Sequence, residues 1–315
     1  MNGLKLKDCL QLGSRVYQCD TLLARRRLLV FYVRCLLNRQ VLKKQCQFFS
    51  QTALRRDIFF HTPYFIDQTL RQVFYKDSTP EERKHRIQQH IQVMEDIFRL
   101  DVLKTLYVDC QRILLWQDEY EGKPLALYLV FREGQQKEGC LSIELIYDSL
   151  DLKHTGWDYG KHVYQIMFSF GINDRKERIL HIGALQGLAG GRDFIKGLTK
   201  AFFGYRTKNL IVWCLRCIAD SLGVKHIYAV SNEGYYAMNH YRRDRKLKVD
   251  LNAFWQECGG TIHECDNRFY EIPVEEKRKT MEELKPSKRA MHRRRFAKMD
   301  EIQEKIERQL KDLKK

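Results

Sequence analysis

Three stretches of this 315-residue chain carry residue types that can do chemistry. The first, Gln186-Gly187-Leu188-Ala189-Gly190-Gly191-Arg192, closes an apolar strand pattern and opens a helical one. A glycine-rich turn at a helix start turns backbone N–H groups toward an anion, so the stretch is phosphate-capable; otherwise its glycines serve a tight turn and close packing. The second is Cys214-x-x-Cys217, the only close cysteine pair. It sits in an apolar helical run with no second pair or histidine at metal-ligand spacing, and it reads as two buried small hydrophobes, with no metal expected. The third runs from Lys285 to Lys298, where Arg293, Arg294 and Arg295 stand among further cations. Arginine suits bidentate phosphate contact, and the alternative is a solvated helix face.

These stretches need a frame to position them. After the glycine turn come two helical runs, Asp193–Phe203 and Lys208–Leu222, and then an apolar strand ending at Ser231-Asn232. Such a connection joins parallel neighbours in one sheet, and the site is expected where that sheet opens. Five strand-type stretches precede or enter the unit: Arg112–Glu119, Lys123–Arg132, Cys140–Asp148, His162–Gly171 and Arg178–Gln186. Glu133-Gly134 and a Gly156–Gly160 loop separate some of them. Leu125, Leu127, Leu129 and Phe131 alternate with Ala126, Tyr128 and Val130, so that strand is apolar on both faces and lies inside the sheet. A basic loop (Tyr241–Lys246), a short helix (Asp250–Cys258), Gly259-Gly260 and a last strand near Arg268–Ile272 follow.

The flanks are helical. Residues from about 15 to 100 are rich in Leu, Arg and Gln, and Ser78-Thr79-Pro80-Glu81-Glu82 is a helix start with a capping hydroxyl, a first-turn proline and acids at the positive end. Met299, Ile302, Ile306, Leu310 and Leu313 put one apolar stripe on a final helix. The fold class is α+β, divided into a helical region 1–105, a central mixed-sheet domain 106–274 and a basic amphipathic helix in 275–315.

Composition bounds the partners. The 44% hydrophobic content supports a packed core, and 56 Lys+Arg against 40 Asp+Glu give a formal +16. That balance favours polyanions: an anionic membrane surface, a phosphate-bearing ligand, or nucleic acid. Ten scattered cysteines and the lack of a signal-peptide pattern point to a reducing cytoplasm. The run Leu28–Val33, cut by Arg34, falls far short of the roughly 20 residues of a membrane span.

The chain resembles the VirK/YbjX family of bacterial proteins. The residues that carry the resemblance are Tyr120-Glu-Gly-Lys-Pro-Leu-Ala-Leu127, His181-Ile-Gly-Ala-Leu-Gln-Gly187, Lys208-Asn-Leu210, Ala229-Val-Ser-Asn232, Phe254-Trp-Gln-Glu-Cys-Gly-Gly260, Pro286-Ser-Lys-Arg-Ala290 and Arg293-Arg-Arg-Phe296. The resemblance implies a virulence-associated factor supporting envelope integrity, surface-protein display and tolerance of antimicrobial peptides. It also tilts the choice of polyanion toward a membrane surface, with a cytoplasmic protein held in part at the inner membrane.

The order of elements is similar to a GNAT-type acyltransferase fold, whose Gln/Arg-x-x-Gly-x-Gly/Ala turn holds the pyrophosphate of acyl-coenzyme A. That likeness implies a coenzyme site at Gln186, Gly187, Gly190, Gly191, Arg192 and Asn232. Here Ala189 stands at the first glycine, and the crossover holds two helices instead of one. An acyl transfer needs a general base and a proton donor for the leaving thiolate, roles for which His181 and Tyr236, or its neighbour Tyr235, have the chemistry. The rival class is a non-catalytic basic accessory protein binding anionic membrane or nucleic acid.

Overall fold

No glycine lies between Gly13 and Gly122, and the described residues up to Tyr107 form seven helices. The computed structural model describes residues 5–17, 21–131, 137–150, 161–238 and 249–315. The Glu133-Gly134 turn, the Gly156–Gly160 loop and the Tyr241–Lys246 basic loop of the sequence reading lie outside the described residues. The helices are α1 (Leu6–Val16), α2 (Leu22–Leu37), α3 (Arg39–Ser50), α4 (Ala53–His61), α5 (Tyr64–Leu70), α6 (Pro80–Ile97) and α7 (Leu100–Tyr107). The start of α6 is the expected one: Thr79 Oγ1 accepts from the Glu82 N–H and the Glu82 carboxylate accepts from the Thr79 N–H, with Pro80 in the first turn.

Eight strands form one mixed sheet in the order β1-β2-β3-β4-β5-β6-β8-β7. They are β1 (Ile113–Tyr120), β2 (Lys123–Val130), β3 (Leu141–Tyr147), β4 (Lys161–Ile172), β5 (Arg178–Gly187), β6 (Val224–Val230), β7 (Thr261–Ile262) and β8 (Phe269–Ile272). Only β5 and β6 among these pair in parallel. Their crossover is two helices, α8 (Arg192–Ala201) and α9 (Thr207–Ser221), as the sequence predicts. After β6 comes α10 (Leu251–Glu257), and α11 (Pro286–Leu313) ends the chain. Two-residue β7 escapes the sequence reading because two residues show no alternation. Strand β2 lies inside the sheet, one place from the edge, and its two faces serve different clusters: Leu125, Leu127 and Leu129 join the main core, while Ala126, Tyr128 and Val130 pack with Ile146.

The main core is continuous from Cys9 in α1 to Leu310 in α11. The buried stripe of α11, Met299, Ile302, Ile306 and Leu310, faces α9 and β1. Its far end returns to the helical region, where the Arg99 N–H donates to the Leu313 carbonyl at 3.1 Å and the Lys315 N–H to the Ile97 carbonyl at 3.1 Å.

Helix α6 meets the sheet at an edge. The pairing of β3 with β4 stops at Leu141–Phe168, which leaves the next free amide of β4 on that side, Phe170 N–H, without a strand partner. His90 of α6 supplies one: its Nδ1 accepts this N–H at 3.1 Å, and its Nε2 lies 2.7 Å from the hydroxyl of Tyr107 in α7. An accepting Nδ1 fixes the proton on Nε2, which donates to Tyr107. The ring is fully buried, stacks on Phe170 and is held neutral, its pKa lowered to about 3 by burial.

The sign of the pH dependence follows. An unfolded histidine takes a proton near 6.5 and the folded His90 only near 3, so its contribution is complete above pH 6.5 and is lost as the pH falls toward 3. We expect His90→Leu to lose on the order of 2–5 kcal/mol in urea unfolding at pH 7, because it orphans a buried N–H and a buried hydroxyl. The variant should also lose less stability than the parent between pH 7 and 4.5; equal losses would show that His90 is not the titrating group.

Candidate functional site

The parallel pairing of β5 and β6 runs from Arg178–Val224 to Ile182–Ala229 and stops there, while β5 continues beside β4 to Gly187. The parting coincides with a bulge. Met167 pairs with Ala184 and Phe168 with Ile182, so Gly183 is the extra residue of β5. A Cβ on Gly183 would stand 1.7 Å from the Glu138 carbonyl oxygen, so only glycine fits between these backbones.

That close approach places Glu138 at the opening. Its segment is pinned on every side: the Phe74 N–H donates to the Lys137 carbonyl at 2.6 Å, Gln68 Nε2 to the Gly139 carbonyl at 2.8 Å, and the Cys140 N–H to the Phe168 carbonyl at 2.9 Å. The carboxyl is buried and meets two phenols from the loop after β6. Tyr235 Oη lies 3.4 Å from Glu138 Oε1, and the Tyr236 hydroxyl also donates to this carboxyl. The tyrosines are fixed in turn, since Ser231 Oγ donates to the Asn267 carbonyl and accepts from the Gly234 N–H, and the Lys76 N–H donates to the Gly234 carbonyl. Burial raises the Glu138 pKa from the ordinary 4.5 to about 7, against the pull of Lys137 and both phenols. Burial likewise pushes the Tyr235 phenol up, so it stays protonated and able to donate. A carboxyl poised near neutrality beside two hydroxyls can give or take a proton at physiological pH.

The residues singled out in the sequence distribute around this point. Tyr236 is at the centre of it. His181, two residues before the bulge, packs its ring between Tyr228 and Phe269, and burial with the nearby Arg86 holds its pKa well below 6.5. It stays neutral and is poorly matched to a base working near pH 7. Asn232 is occupied by α10: its Oδ1 accepts the Leu251 N–H at 2.8 Å, its Nδ2 donates to Asp250 at 2.9 Å, and its N–H donates to Asn252. Sequence reading missed Glu138. A single acid after Gln135-Gln136-Lys137 carries no spacing or motif, and only its burial distinguishes it.

The glycine turn follows the same strand. Gly190 has φ +70° and open space around its missing Cβ, whereas a Cβ on Gly187 or Gly191 would meet Tyr164 or Leu188. Gly191 caps α8 with no side-chain bond to its first-turn N–H groups, and the exposed Arg192 makes no ion pair among the described residues. Gln186 continues a polar row across one face, in register with Gln165, Glu144 and Tyr128. Within it Gln165 Nε2 donates to the buried Glu144 carboxylate at 2.9 Å, and His162 Nδ1 lies 3.6 Å from the other oxygen.

On α11, Arg293 and Arg294 face solvent, while Arg295 donates through Nε and Nη2 to the Phe203 carbonyl at 3.1 and 2.8 Å, closing the end of α8. Cys214 and Cys217 are buried in α9 with their thiol pKa values raised by burial. No group of three potential metal ligands occurs among the described residues.

A family model described as "Protein of unknown function (DUF535)" matches residues 21–308. The "Uncharacterized protein YbjX" of Escherichia coli (strain K12) is 36% identical over 132 residues, which are 40% of this chain and 39% of that protein. Two proteins of Haemophilus influenzae, each described as "Uncharacterized protein", are 27% identical over 133 residues (42% of this chain, 44% of the relative) and 24% identical over 273 residues (82% and 84%). The chain thus spans less than half the length of the first two relatives in these matches. No solved structure matches it.

A carboxyl whose pKa is raised in the fold costs stability as the pH rises from its unfolded value to its folded one. We expect Glu138→Gln to stabilise the protein at pH 8 by on the order of 3 kcal/mol and to change little at pH 4, as read by urea unfolding. A variant that is destabilised equally at both pH values would return Glu138 to a purely structural role.

Proposed function

The chain belongs to the DUF535 family, the VirK/YbjX group, and for this member we propose an acyl-coenzyme A dependent acyltransferase that serves the bacterial envelope. The observation that carries the reading is the parting of β5 and β6 at the Gly183 bulge, with an uncapped helix start beyond β5 and a carboxyl titrating near 7 beside two phenols beyond β6. Ligands of α/β sheets enter at such a parting of parallel strands.

The residues present fit the coenzyme. The first-turn N–H groups of α8 and the unpaired Arg192 would hold its pyrophosphate, the open space at Gly190 admits phosphate close to the backbone, and Gln186 borders the approach. When bound, the coenzyme supplies an acyl group activated as a thioester. In this reading Glu138, ionised in part at neutral pH, takes the proton of an amine or hydroxyl acceptor. Tyr236 would supply a proton for the thiolate of the departing coenzyme, with Tyr235 orienting it. His181 is a neutral wall residue beside them, and Asn232 fixes α10 so that the tyrosine loop keeps its place.

Acyl transfer to an envelope precursor accounts for the roles in envelope integrity, surface-protein display and antimicrobial-peptide tolerance that the VirK/YbjX resemblance implies. It also accommodates a cytoplasmic enzyme held in part at the inner membrane, with Arg293 and Arg294 free to meet phosphates. No helix among the described residues is long and apolar enough to cross a membrane.

Isothermal titration with acetyl- and long-chain acyl-coenzyme A tests the reading. The parent should bind, and Gly190→Val should lose at least tenfold in affinity, because a β-branched residue resists a φ of +70° and fills the open space. Glu138→Gln should keep binding and lose turnover by a factor of about 10²–10⁴, the usual worth of a general base. No heat from the parent at millimolar ligand would overturn the assignment.

A further inference from the structure

Helix α2 is apolar on the wrong side. Phe31 and Cys35 point inward and are buried, yet Leu22, Leu29, Val33, Leu36 and Leu37 share the opposite face and are 84%, 63%, 47%, 60% and 79% exposed. Seven of the thirteen large hydrophobic side chains exposed among the described residues belong to this one helix, so the exposure is a patch and not the scatter normal for a surface. Apolar side chains on the outer face as well as the inner one leave that outer area in water unless something covers it.

The charge beside the patch states what that cover is. Arg27 and Arg34 project from one flank of α2, Arg26 stands on the exposed face between Leu22 and Leu29, and the three line, with Tyr17, Tyr64 and Arg71, a cavity of about 550 Å³. Among the described residues no acid lines it and these three arginines make no ion pair, whereas Arg71 is already paired with Asp67 at 2.9 Å. Three uncompensated guanidiniums beside an exposed apolar stripe are complementary to one kind of surface. A bilayer of anionic phospholipid offers acyl chains to the stripe and phosphates to the cavity at the same time. A second copy of this chain would bring its own arginines against these ones, and nucleic acid would leave the leucines uncovered.

We propose that α2 is an interfacial anchor that lies in the plane of an anionic membrane, with Leu29, Val33 and Leu36 sunk to the acyl boundary and a headgroup phosphate held between Arg26, Arg27 and Arg34. It gives the membrane contact of the proposed function a surface of its own, on a different helix from the arginine run of α11. It holds whether or not the sheet transfers acyl groups, so the vesicle assay and the coenzyme titration fail separately.

The test is flotation of the full chain with vesicles of phosphatidylcholine alone or with about 30% phosphatidylglycerol, an anionic surface that attracts basic segments. The parent is expected on the anionic vesicles and largely off the neutral ones. Leu29→Gln/Val33→Gln/Leu36→Gln changes only exposed positions and should reduce binding at least tenfold. Arg26→Gln/Arg27→Gln/Arg34→Gln should reduce it by about a hundredfold on anionic vesicles, the sum of three surface charges. The indole introduced by Leu36→Trp should shift its emission to the blue on the anionic vesicles. A parent that stays off them, an apolar variant that binds like the parent, an unshifted emission from the Leu36→Trp variant, or sedimentation showing that the same substitutions dissociate a dimer would each overturn the proposal, as would binding of soluble glycerophosphate without binding of vesicles.

Discussion

A buried imidazole joins the two halves of this protein. Strand β4 outruns its neighbour β3, and a sheet edge inside a core leaves backbone N–H groups that must find partners. His90 accepts the Phe170 N–H and donates its own Nε2–H to the Tyr107 hydroxyl, so one side chain satisfies a strand and docks two helices. The arrangement works only with the ring neutral, since a charged imidazole would have no acceptor to offer. Around it Phe65, Tyr107, Phe131 and Phe170 close an aromatic layer between helices and sheet.

The candidate site depends on that docking. The segment between α5 and α6 reaches over the end of the sheet, where Phe74 holds Lys137 and Lys76 holds Gly234, while Arg268 donates to the Lys76 carbonyl and covers the Tyr75 ring. The carboxyl of Glu138 and the phenols of Tyr235 and Tyr236 come from chain positions about a hundred residues apart. Their juxtaposition is a product of this clamp together with the Gly183 bulge. A carboxyl kept near pH 7 by burial is a cost to the fold.

Two basic surfaces flank the same core and differ in kind. The cations at the start of α11 stand on a helix whose apolar stripe is fully used against α9 and β1, and Arg295 is itself spent on the end of α8. Those of α2 border an apolar face that nothing in the described chain covers. Charge alone would rank the arginine run of α11 first, but the unused hydrophobic area gives α2 a thermodynamic reason to leave water.

How much of this was legible in the sequence follows from the range of each cause. Periodicity, caps and glycine turns act over a few residues, and they set the strands from Ile113 to Gly187, the double helical crossover, the capping box at Thr79 and the stripe of α11. The α+β class and the kinship with the VirK/YbjX group were readable for the same reason. The glycine turn was readable too, although the sequence could not divide its glycines into Gly190, which needs positive φ, and Gly187 and Gly191, which make room for neighbours. Burial and pairing across long separations are another matter. Only the tertiary structure buried His181 as a neutral ring against Tyr228 and Phe269, bound Asn232 to α10, raised an unremarked Glu138 toward pH 7, and left one side of α2 bare. Each of these depends on what lies across from the residue in space, and a pattern along the chain carries no record of that.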